Sequence, residues 1–199
     1  MTMDGKTKKD LEVLREMRSR GWSRLAVVPV TPGAGATYTA VNLSLALARQ
    51  PHTKVTLIDL DLADPAVAQR LGVPGCETVS ATLGTGRDLD GLVATLSEAP
   101  NLSVLAPEQA EPAAAELLQD QVFVAAMEKL HESHSAEIAI LDTAALLGQD
   151  TGLAALPLAD AILLVADGRA GTAADMTECE RLLVGMPPVM GVVLNKSED

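Results

Sequence analysis

Short apolar runs alternate with helical patterns from residue 25 to the end of the chain, and this alternation predicts the fold. The apolar runs are rich in β-branched residues and end at turn signals, which is typical of buried strands. They cover residues 25–30, 54–60, 102–105, 137–142, 160–166 and 190–195. Helices are predicted between them, over residues 37–49, 66–71, 88–97, 111–132, 151–156 and 172–185. Strands buried on both faces and separated by helices predict an α/β domain with a mainly parallel central sheet and helices on both of its faces.

Two segments interrupt this alternation, and one precedes it. Residues 72–88 are rich in glycine and are expected to be largely loop. The helix predicted over residues 111–132 is expected to break near Pro112. Before the first strand, residues 6–20 have the pattern of a charged amphipathic helix. We therefore expect an N-terminal helical segment within residues 1–24 and a single α/β domain over residues 25–199.

Composition narrows the classes of function. Hydrophobic residues make up 48% of the 199 residues and aromatic residues only 2%, so the core must be aliphatic. A net charge of −12 argues against binding to a nucleic-acid backbone, which requires clustered lysine and arginine. Cys76 and Cys179 lie far apart without metal-type spacing and are expected to be reduced thiols. No apolar run reaches membrane-spanning length and the polar start is unlike a signal peptide, so a soluble, cytoplasmic protein is expected.

Residues 31–37, between the first strand and the first helix, have the layout of a phosphate-binding loop. Gly33 and Gly35 allow several backbone N–H groups to converge on an anion, and Thr37 is the hydroxyl expected to bind Mg²⁺. The lysine of a Walker A loop is missing, since Ala36 stands in its place. A plain β–α turn explains two glycines about equally well. A dinucleotide-binding loop fits poorly, because its third glycine would fall at Tyr38.

Carboxylates at the ends of two distant strands favour the phosphate-binding interpretation. Asp59 and Asp61 close one apolar strand, and Asp142 closes another. Side chains at the carboxyl ends of parallel strands gather where ligands bind. A hydroxyl and two carboxylates suit Mg²⁺, which keeps much of its water shell, so Thr37, Asp59 and Asp142 are the candidate metal ligands. Helix N-capping is the alternative role for each aspartate, and it is less favoured for two that each end an apolar strand.

In this order, these segments resemble the ParA/MinD-type P-loop ATPases and, within them, the bacterial tyrosine kinases (BY-kinases) of capsule and exopolysaccharide export. The matching stretches are residues 12–18, 32–37, 40–43, 57–65, 101–105, 112–118, 140–143 and 191–195. The resemblance implies a three-layer P-loop NTPase fold that uses ATP or ADP with Mg²⁺. It implies catalytic roles for Asp59, Asp61 and Asp142. It implies nucleotide contacts from Gly33, Ala34, Gly35, Ala36, Thr37, Tyr38 and Asn195.

The resemblance also implies assembly and a partner. Glu12, Arg15 and Arg18 match the motif with which BY-kinases form rings, and their spacing places them on roughly one helix face. A homo-oligomer is therefore expected, together with a membrane-embedded polysaccharide co-polymerase as partner. The implied location is cytoplasmic, with attachment to the inner membrane through that partner as one option.

The sequence departs from the family pattern at positions that would carry the chemistry of the nucleotide site. Ala36 replaces the Walker lysine, Thr31 replaces the signature lysine of the ParA/MinD branch, and Ala63 replaces an arginine. Tyr38 puts a ring where the family has a small residue, and it is the only tyrosine, so the family's tyrosine cluster is missing from this sequence.

We therefore favour a BY-kinase-like regulator of polysaccharide chain length or export whose nucleotide site is degenerate, with weak or absent nucleotide binding and little or no kinase activity. The alternatives are an active kinase or ATPase with a displaced cation, for which Arg169 and Lys196 are the candidates, and a ParA/MinD-like regulatory ATPase.

Overall fold

Seven strands form one twisted sheet at the centre of the protein. The structure, a computed structural model, describes residues 5–134 and 136–196, with side chains from Glu12 onward. The strands are β1 (Arg24–Pro29), β2 (Val55–Asp59), β3 (Ala94–Leu96), β4 (Ala99–Leu105), β5 (Ile138–Asp142), β6 (Ala161–Asp167) and β7 (Val189–Asn195). Their order across the sheet is β3-β4-β2-β5-β1-β6-β7. All neighbours are parallel except β3 and β4, which confirms the mainly parallel sheet.

Helices flank the sheet on both faces. They are α1 (Gly5–Arg20), α2 (Ala36–Ala48), α3 (Val67–Leu71), α4 (Val79–Gly84), α5 (Ala114–Gln119), α6 (Gln121–Ser133), α7 (Asp150–Ala155) and α8 (Ala173–Leu182). Short 3₁₀ turns lie at Leu89–Leu92 and Leu156–Leu158. Within the described ranges, no helix combines the length and the apolar character needed to cross a bilayer.

Two aliphatic layers form the core, one on each face of the sheet. Leu57 and Ile140 point into one layer, whereas their chain neighbours Ile58 and Leu141 point into the other. This alternation follows from the twofold periodicity of a strand. It explains why the central strands read as continuous apolar runs in the sequence.

The prediction of a helix over residues 88–97 is wrong. This segment forms the 3₁₀ turn and then β3, which pairs antiparallel with β4 as a hairpin at the edge of the sheet. β-Branched Val93 and Thr95 favour an extended backbone over a helix here. The pairing with β4 supplies the partner for that extended backbone.

Two further boundaries differ from expectation because of side-chain capping. The segment 72–88 contains α4, whose Ser80 N–H donates to the buried carboxylate of Glu111 at 3.0 Å. The helical stretch 111–132 is divided at Asp120, not near Pro112. The Asp120 carboxylate accepts the Val122 N–H at 2.7 Å and thereby starts α6.

The N-terminal helix packs on the α/β core. Leu14 is 3% exposed and Met17 is fully buried, and both belong to the layer that also contains α2. The described side chains of α1 are therefore part of the same packed body, and no separation at residue 24 is visible in them. The division into an N-terminal segment over residues 1–24 and an α/β domain over residues 25–199 stays a prediction.

We predict that Met17→Ala lowers the free energy of unfolding by about 2–5 kcal/mol, because it leaves a cavity between α1 and the core. Urea unfolding followed by circular dichroism measures this change. Arg15→Ala, on the exposed face of the same helix, should change the stability by less than about 0.5 kcal/mol. Equal stabilities of the two variants would contradict the packing of α1 on the core.

Candidate functional site

The carboxyl ends of the central strands meet beside the loop that follows β1. Asp59 and Asp142 end β2 and β5 and lie directly opposite each other in the parallel register. Val27 of β1 lies level with Asp142 on its other side. The topology therefore brings the loop 31–37 and the two predicted carboxylates together, as the strand-end rule predicts.

The loop 31–37 has backbone geometry suited to an anion. Gly33 and Gly35 have φ angles of +78° and +95°, which residues with a side chain rarely adopt. The Ala34 N–H donates to the Thr31 carbonyl at 3.2 Å, and α2 begins immediately after Gly35. The first N–H groups of an α-helix lack intrahelical acceptors and lie at its positive end. An anion is the natural partner for such a loop.

Asn195 lies against this loop from the last strand. Its side-chain amide donates to the Ala34 carbonyl at 2.9 Å. A Cβ atom on Gly35 would lie 2.2 Å from the Asn195 Nδ2 atom, so a larger residue at position 35 would displace the Asn195 amide in addition to straining the backbone. The predicted nucleotide contact of Asn195 stays a prediction, but the residue clearly contacts the predicted loop.

Ala36, which stands where a Walker A loop has its lysine, packs in the core. Ala34 is fully buried and Ala36 is 4% exposed, and both methyl groups belong to the aliphatic layer around α2. A methyl group offers no charge to a phosphate. The structure therefore keeps the shape of the loop, while the side chain at position 36 is used for packing.

Asp59 has a structural task in addition to its predicted role. Its carboxylate accepts the N–H groups of Ala66 and Val67 at 2.9 Å each and that of Asp61 at 3.1 Å. Asp59 thus caps the start of α3 from the end of β2. From the sequence, this capping role was less favoured than a role in metal binding. Oδ2 accepts two of these N–H groups, whereas Oδ1 accepts only that of Asp61 and still has a free lone pair for a further partner.

Asp142 is the least satisfied polar group of the site. Its side chain is fully buried, and neither oxygen has a donor in hydrogen-bond geometry among the described residues, although the Thr37 hydroxyl lies close enough to lower its pKa. Burial raises the pKa of Asp142 well above its usual range, and the charge of Asp59 raises it further. Burial also raises the pKa of Asp59 to about 7 and that of Asp61 to about 6.

This arrangement fits a divalent cation. A buried carboxylate without a donor, a second carboxylate beside it and the Thr37 hydroxyl are hard oxygen ligands of the kind that Mg²⁺ prefers. No group of three or more His, Cys, Asp or Glu side chains among the described residues is arranged to hold a metal on its own. Mg²⁺ would therefore take its remaining ligands from water and phosphate. When bound, Mg²⁺ supplies positive charge that neutralises phosphate oxygens.

Lys196 contacts loop 31–37. From the sequence, Lys196 was one of two candidates for a displaced cation, together with Arg169. Its ammonium donates to the Gly33 carbonyl at 2.6 Å and to the Asp167 carboxylate at 2.8 Å. Asp167 ends β6 and Lys196 directly follows β7, so the strand-end rule could have favoured both residues. The backbone N–H of Arg169 donates to the same carboxylate at 2.9 Å.

Tyr38 lines a groove next to α2. The groove has a volume of about 760 Å³ and is bordered by α2, α3 and the β3–β4 hairpin, with Arg49, Arg70 and Pro100 among its lining residues. Tyr38 is 51% exposed there. The positive charge of Arg70 lowers the pKa of Asp142, so the groove lies within electrostatic reach of the carboxylates.

The three predicted assembly residues of α1 are not equivalent. Glu12 and Arg15 are exposed. The Arg18 guanidinium forms a two-pronged ion pair with Glu137 within the same chain and also donates to the Thr53 hydroxyl at 3.2 Å. This hydrogen bond from Arg18 lowers the pKa of Glu137. Among the described side chains, Arg18 therefore has an ion-pair partner within the chain, whereas none is seen for Glu12 or Arg15.

Comparison with solved structures identifies the fold. The kinase domain of the Escherichia coli tyrosine kinase ETK is 21% identical, with a TM-score of 0.83 over 98% of this chain and 77% of that chain. The VpsO kinase domain is 23% identical, with a TM-score of 0.78 over 97% and 98% of the two chains. The septum site-determining protein MinD from Pyrococcus horikoshii, complexed with Mg-ADP, is 20% identical, with a TM-score of 0.70 over 88% and 72%.

No protein-family model and no curated protein matches the chain. At these identities the similarity establishes the fold alone. The protein therefore has the three-layer P-loop NTPase fold found in tyrosine kinase domains and in MinD, as the sequence resemblance implied.

We predict that Asp142→Asn stabilises the protein at pH 8 in the absence of Mg²⁺ by about 1–3 kcal/mol, because it removes a buried charge without a partner. The raised pKa values of Asp59 and Asp142 mean that the folded state binds more protons than the unfolded state. For Asp59 this contribution is present below about pH 4 and is lost as the pH rises through about 7, and Asp142 loses its contribution as the pH rises through its own raised pKa. The difference between variant and wild type should therefore shrink at pH 4.5.

Urea unfolding at both pH values measures these differences. Glu128→Gln, on the exposed side of α6, is the control and should have no comparable effect. An Asp142→Asn variant that is less stable than wild type at pH 8 would contradict the unpaired buried charge.

Proposed function

We propose that this protein is a BY-kinase-like regulator with a degenerate nucleotide site. It binds ADP or ATP with Mg²⁺ weakly and has little or no kinase activity. The observation that supports this proposal most directly is the contrast within one loop. Gly33, Gly35 and Thr37 keep the geometry of a phosphate loop, whereas the Ala36 methyl group packs in the core.

The energetic argument concerns the transferred phosphoryl group. Phosphoryl transfer depends on positioning and on neutralising the charge of the phosphate oxygens. Removing one preorganised donor from a comparable site typically costs about 10²–10³ in rate. Charge-assisted hydrogen bonds to phosphate are also stronger than neutral ones, so affinity falls as well. Backbone N–H groups, the start of α2 and Mg²⁺ on Thr37, Asp59 and Asp142 are left to hold the nucleotide.

Such a protein would act through assembly and contact. The resemblance to BY-kinases suggests control of exopolysaccharide or capsule chain length or export. The partner would be a membrane-embedded co-polymerase, which would hold this protein at the cytoplasmic face of the inner membrane. The exposed Glu12 and Arg15 on α1 are the candidate residues for contacts between copies of the chain.

The second candidate is an active kinase or ATPase with a displaced cation. The position of Lys196 on the loop favours it, since an ammonium group does lie within 2.6 Å of the Gly33 carbonyl. A regulatory ATPase of the ParA/MinD kind is a third candidate, supported by the likeness to MinD. Nucleotide binding and turnover distinguish these from the first proposal.

We predict weak ATP–Mg²⁺ binding without turnover for the wild type. Ala36→Lys should raise the affinity by about tenfold or more, because it restores a charge-assisted phosphate contact. Ala36→Met, of similar length but without charge, is the matched control for any disturbance of the core. Calorimetric titration and a phosphate-release assay on the same samples provide the measurements. Tight binding by the wild type, with turnover that disappears in Asp142→Ala, would establish the second candidate instead.

We predict that Glu12→Ala combined with Arg15→Ala weakens self-association, because these exposed charged groups can pair with another copy. Sedimentation velocity over a range of concentrations measures the effect. Arg20→Ala, which removes an exposed charge from the same helix, is the control. Arg18→Ala should act differently and lower stability, since it breaks the pair with Glu137. An unchanged sedimentation profile in the double variant would remove the support for assembly through α1.

A further inference from the structure

The end of the last strand contacts the phosphate loop through two consecutive residues. Asn195 donates to the Ala34 carbonyl at 2.9 Å, and Lys196 donates to the Gly33 carbonyl at 2.6 Å. Both donors therefore bind carbonyl oxygens of the loop, and both come from outside the loop itself. We propose that Asn195 and Lys196 are positioning residues, a clamp that holds loop 31–37 in its anion-binding conformation.

The geometry of the peptide bond explains how this clamp acts. In a trans peptide, the carbonyl oxygen and the following N–H point in opposite directions. By holding the Ala34 carbonyl, Asn195 fixes the peptide whose N–H group belongs to Gly35 and turns that N–H away from itself. By holding the Gly33 carbonyl, Lys196 fixes the peptide whose N–H group belongs to Ala34. That N–H donates to the Thr31 carbonyl and closes the turn.

Lys196 is itself held in place. Its ammonium lies 2.8 Å from the Asp167 carboxylate at the end of β6. The hydrogen bond from Lys196 lowers the pKa of Asp167 to about 2, so this carboxylate is ionised at neutral pH. The Asn195 carbonyl accepts the Gly168 N–H at 2.7 Å, which ties the end of β7 to the turn after β6. The clamp is therefore held by the ends of β6 and β7.

The backbone of Lys196 provides an independent observation. Its φ angle is +58°, in the left-handed region that residues other than glycine adopt rarely. Such a conformation costs free energy and persists where surrounding contacts hold it. Here the two contacts of the ammonium group, to Gly33 and to Asp167, are the interactions that hold the residue over the loop.

Amide hydrogen exchange at Ala34 and Thr39, followed by NMR, tests the clamp without any nucleotide. Lys196→Met should accelerate exchange at these amides by about fivefold or more, with no change at Ile140 in the centre of the sheet. Lys196→Arg should stay within about twofold of the wild type, because a guanidinium can donate to the same two oxygens. Lys129→Met, which removes another exposed lysine with an ion pair, should have no effect.

Asn195→Ala is the second, independent variant and should accelerate exchange at Thr39, since it frees the peptide before Gly35. The clamp is overturned if Lys196→Met exchanges like Lys129→Met. It is also overturned if Lys196→Arg exchanges as fast as Lys196→Met, because the bond to Gly33 would then not be what holds the loop.

A binding measurement shows whether the clamp serves the phosphate site, and this part rests on the proposed nucleotide binding. With ADP–Mg²⁺ as the probe, Lys196→Met should bind about tenfold more weakly than the wild type, and Lys196→Arg should bind like the wild type. Equal affinities of Lys196→Met and wild type would refute a role of the clamp in phosphate binding. Absence of ADP binding to the wild type would refute the nucleotide proposal, while the exchange rates still decide whether the clamp exists.

Discussion

The parallel register of β1, β2 and β5 is the constraint on which the candidate site depends. It places Val27, Asp142 and Asp59 at one level across the sheet, immediately before the loop that follows β1. A slip by one residue in any of these strands would turn its side chains to the opposite layer. Because both layers are aliphatic cores, such a slip would bury the wrong side chains, so the packing of the core also positions the carboxylates.

The same packing buries two carboxylates side by side, where their negative charges are unfavourable. Asp142 is enclosed with no donor in hydrogen-bond geometry among the described residues, although the Thr37 hydroxyl lies close enough to lower its pKa, and Asp59 adds a second carboxylate beside it. A buried charge without a partner destabilises a fold by several kcal/mol. The three backbone N–H groups around Asp59 relieve only one of the two aspartates. The site is therefore arranged for a positive charge that the described side chains do not bring into contact with Asp142.

The sequence predicted the parts of this structure that follow from local pattern or from topology. Strand ends collect side chains at one edge of a parallel sheet, so the proximity of Asp59 and Asp142 could be predicted without any knowledge of contacts. The hairpin of β3 and β4 was missed because an edge strand of three residues leaves no pattern of its own. The start of α4 depends on Glu111, which is distant in sequence. The contacts of Lys196 with Gly33 and Asp167 could not be predicted, since these partners are remote along the chain, although the place of Lys196 after a strand end was a usable signal.

The position of Lys196 separates two tasks that one lysine performs in a Walker A loop. A lysine at position 36 would lie at the start of α2, where it could shape the loop and also reach the phosphate. Lys196 contacts the loop through a carbonyl oxygen, and its charge is balanced by Asp167. A balanced charge of this kind can hold the loop, but it adds little net attraction for a phosphate. If the proposed function is correct, a site built in this way would recognise a nucleotide without accelerating phosphoryl transfer.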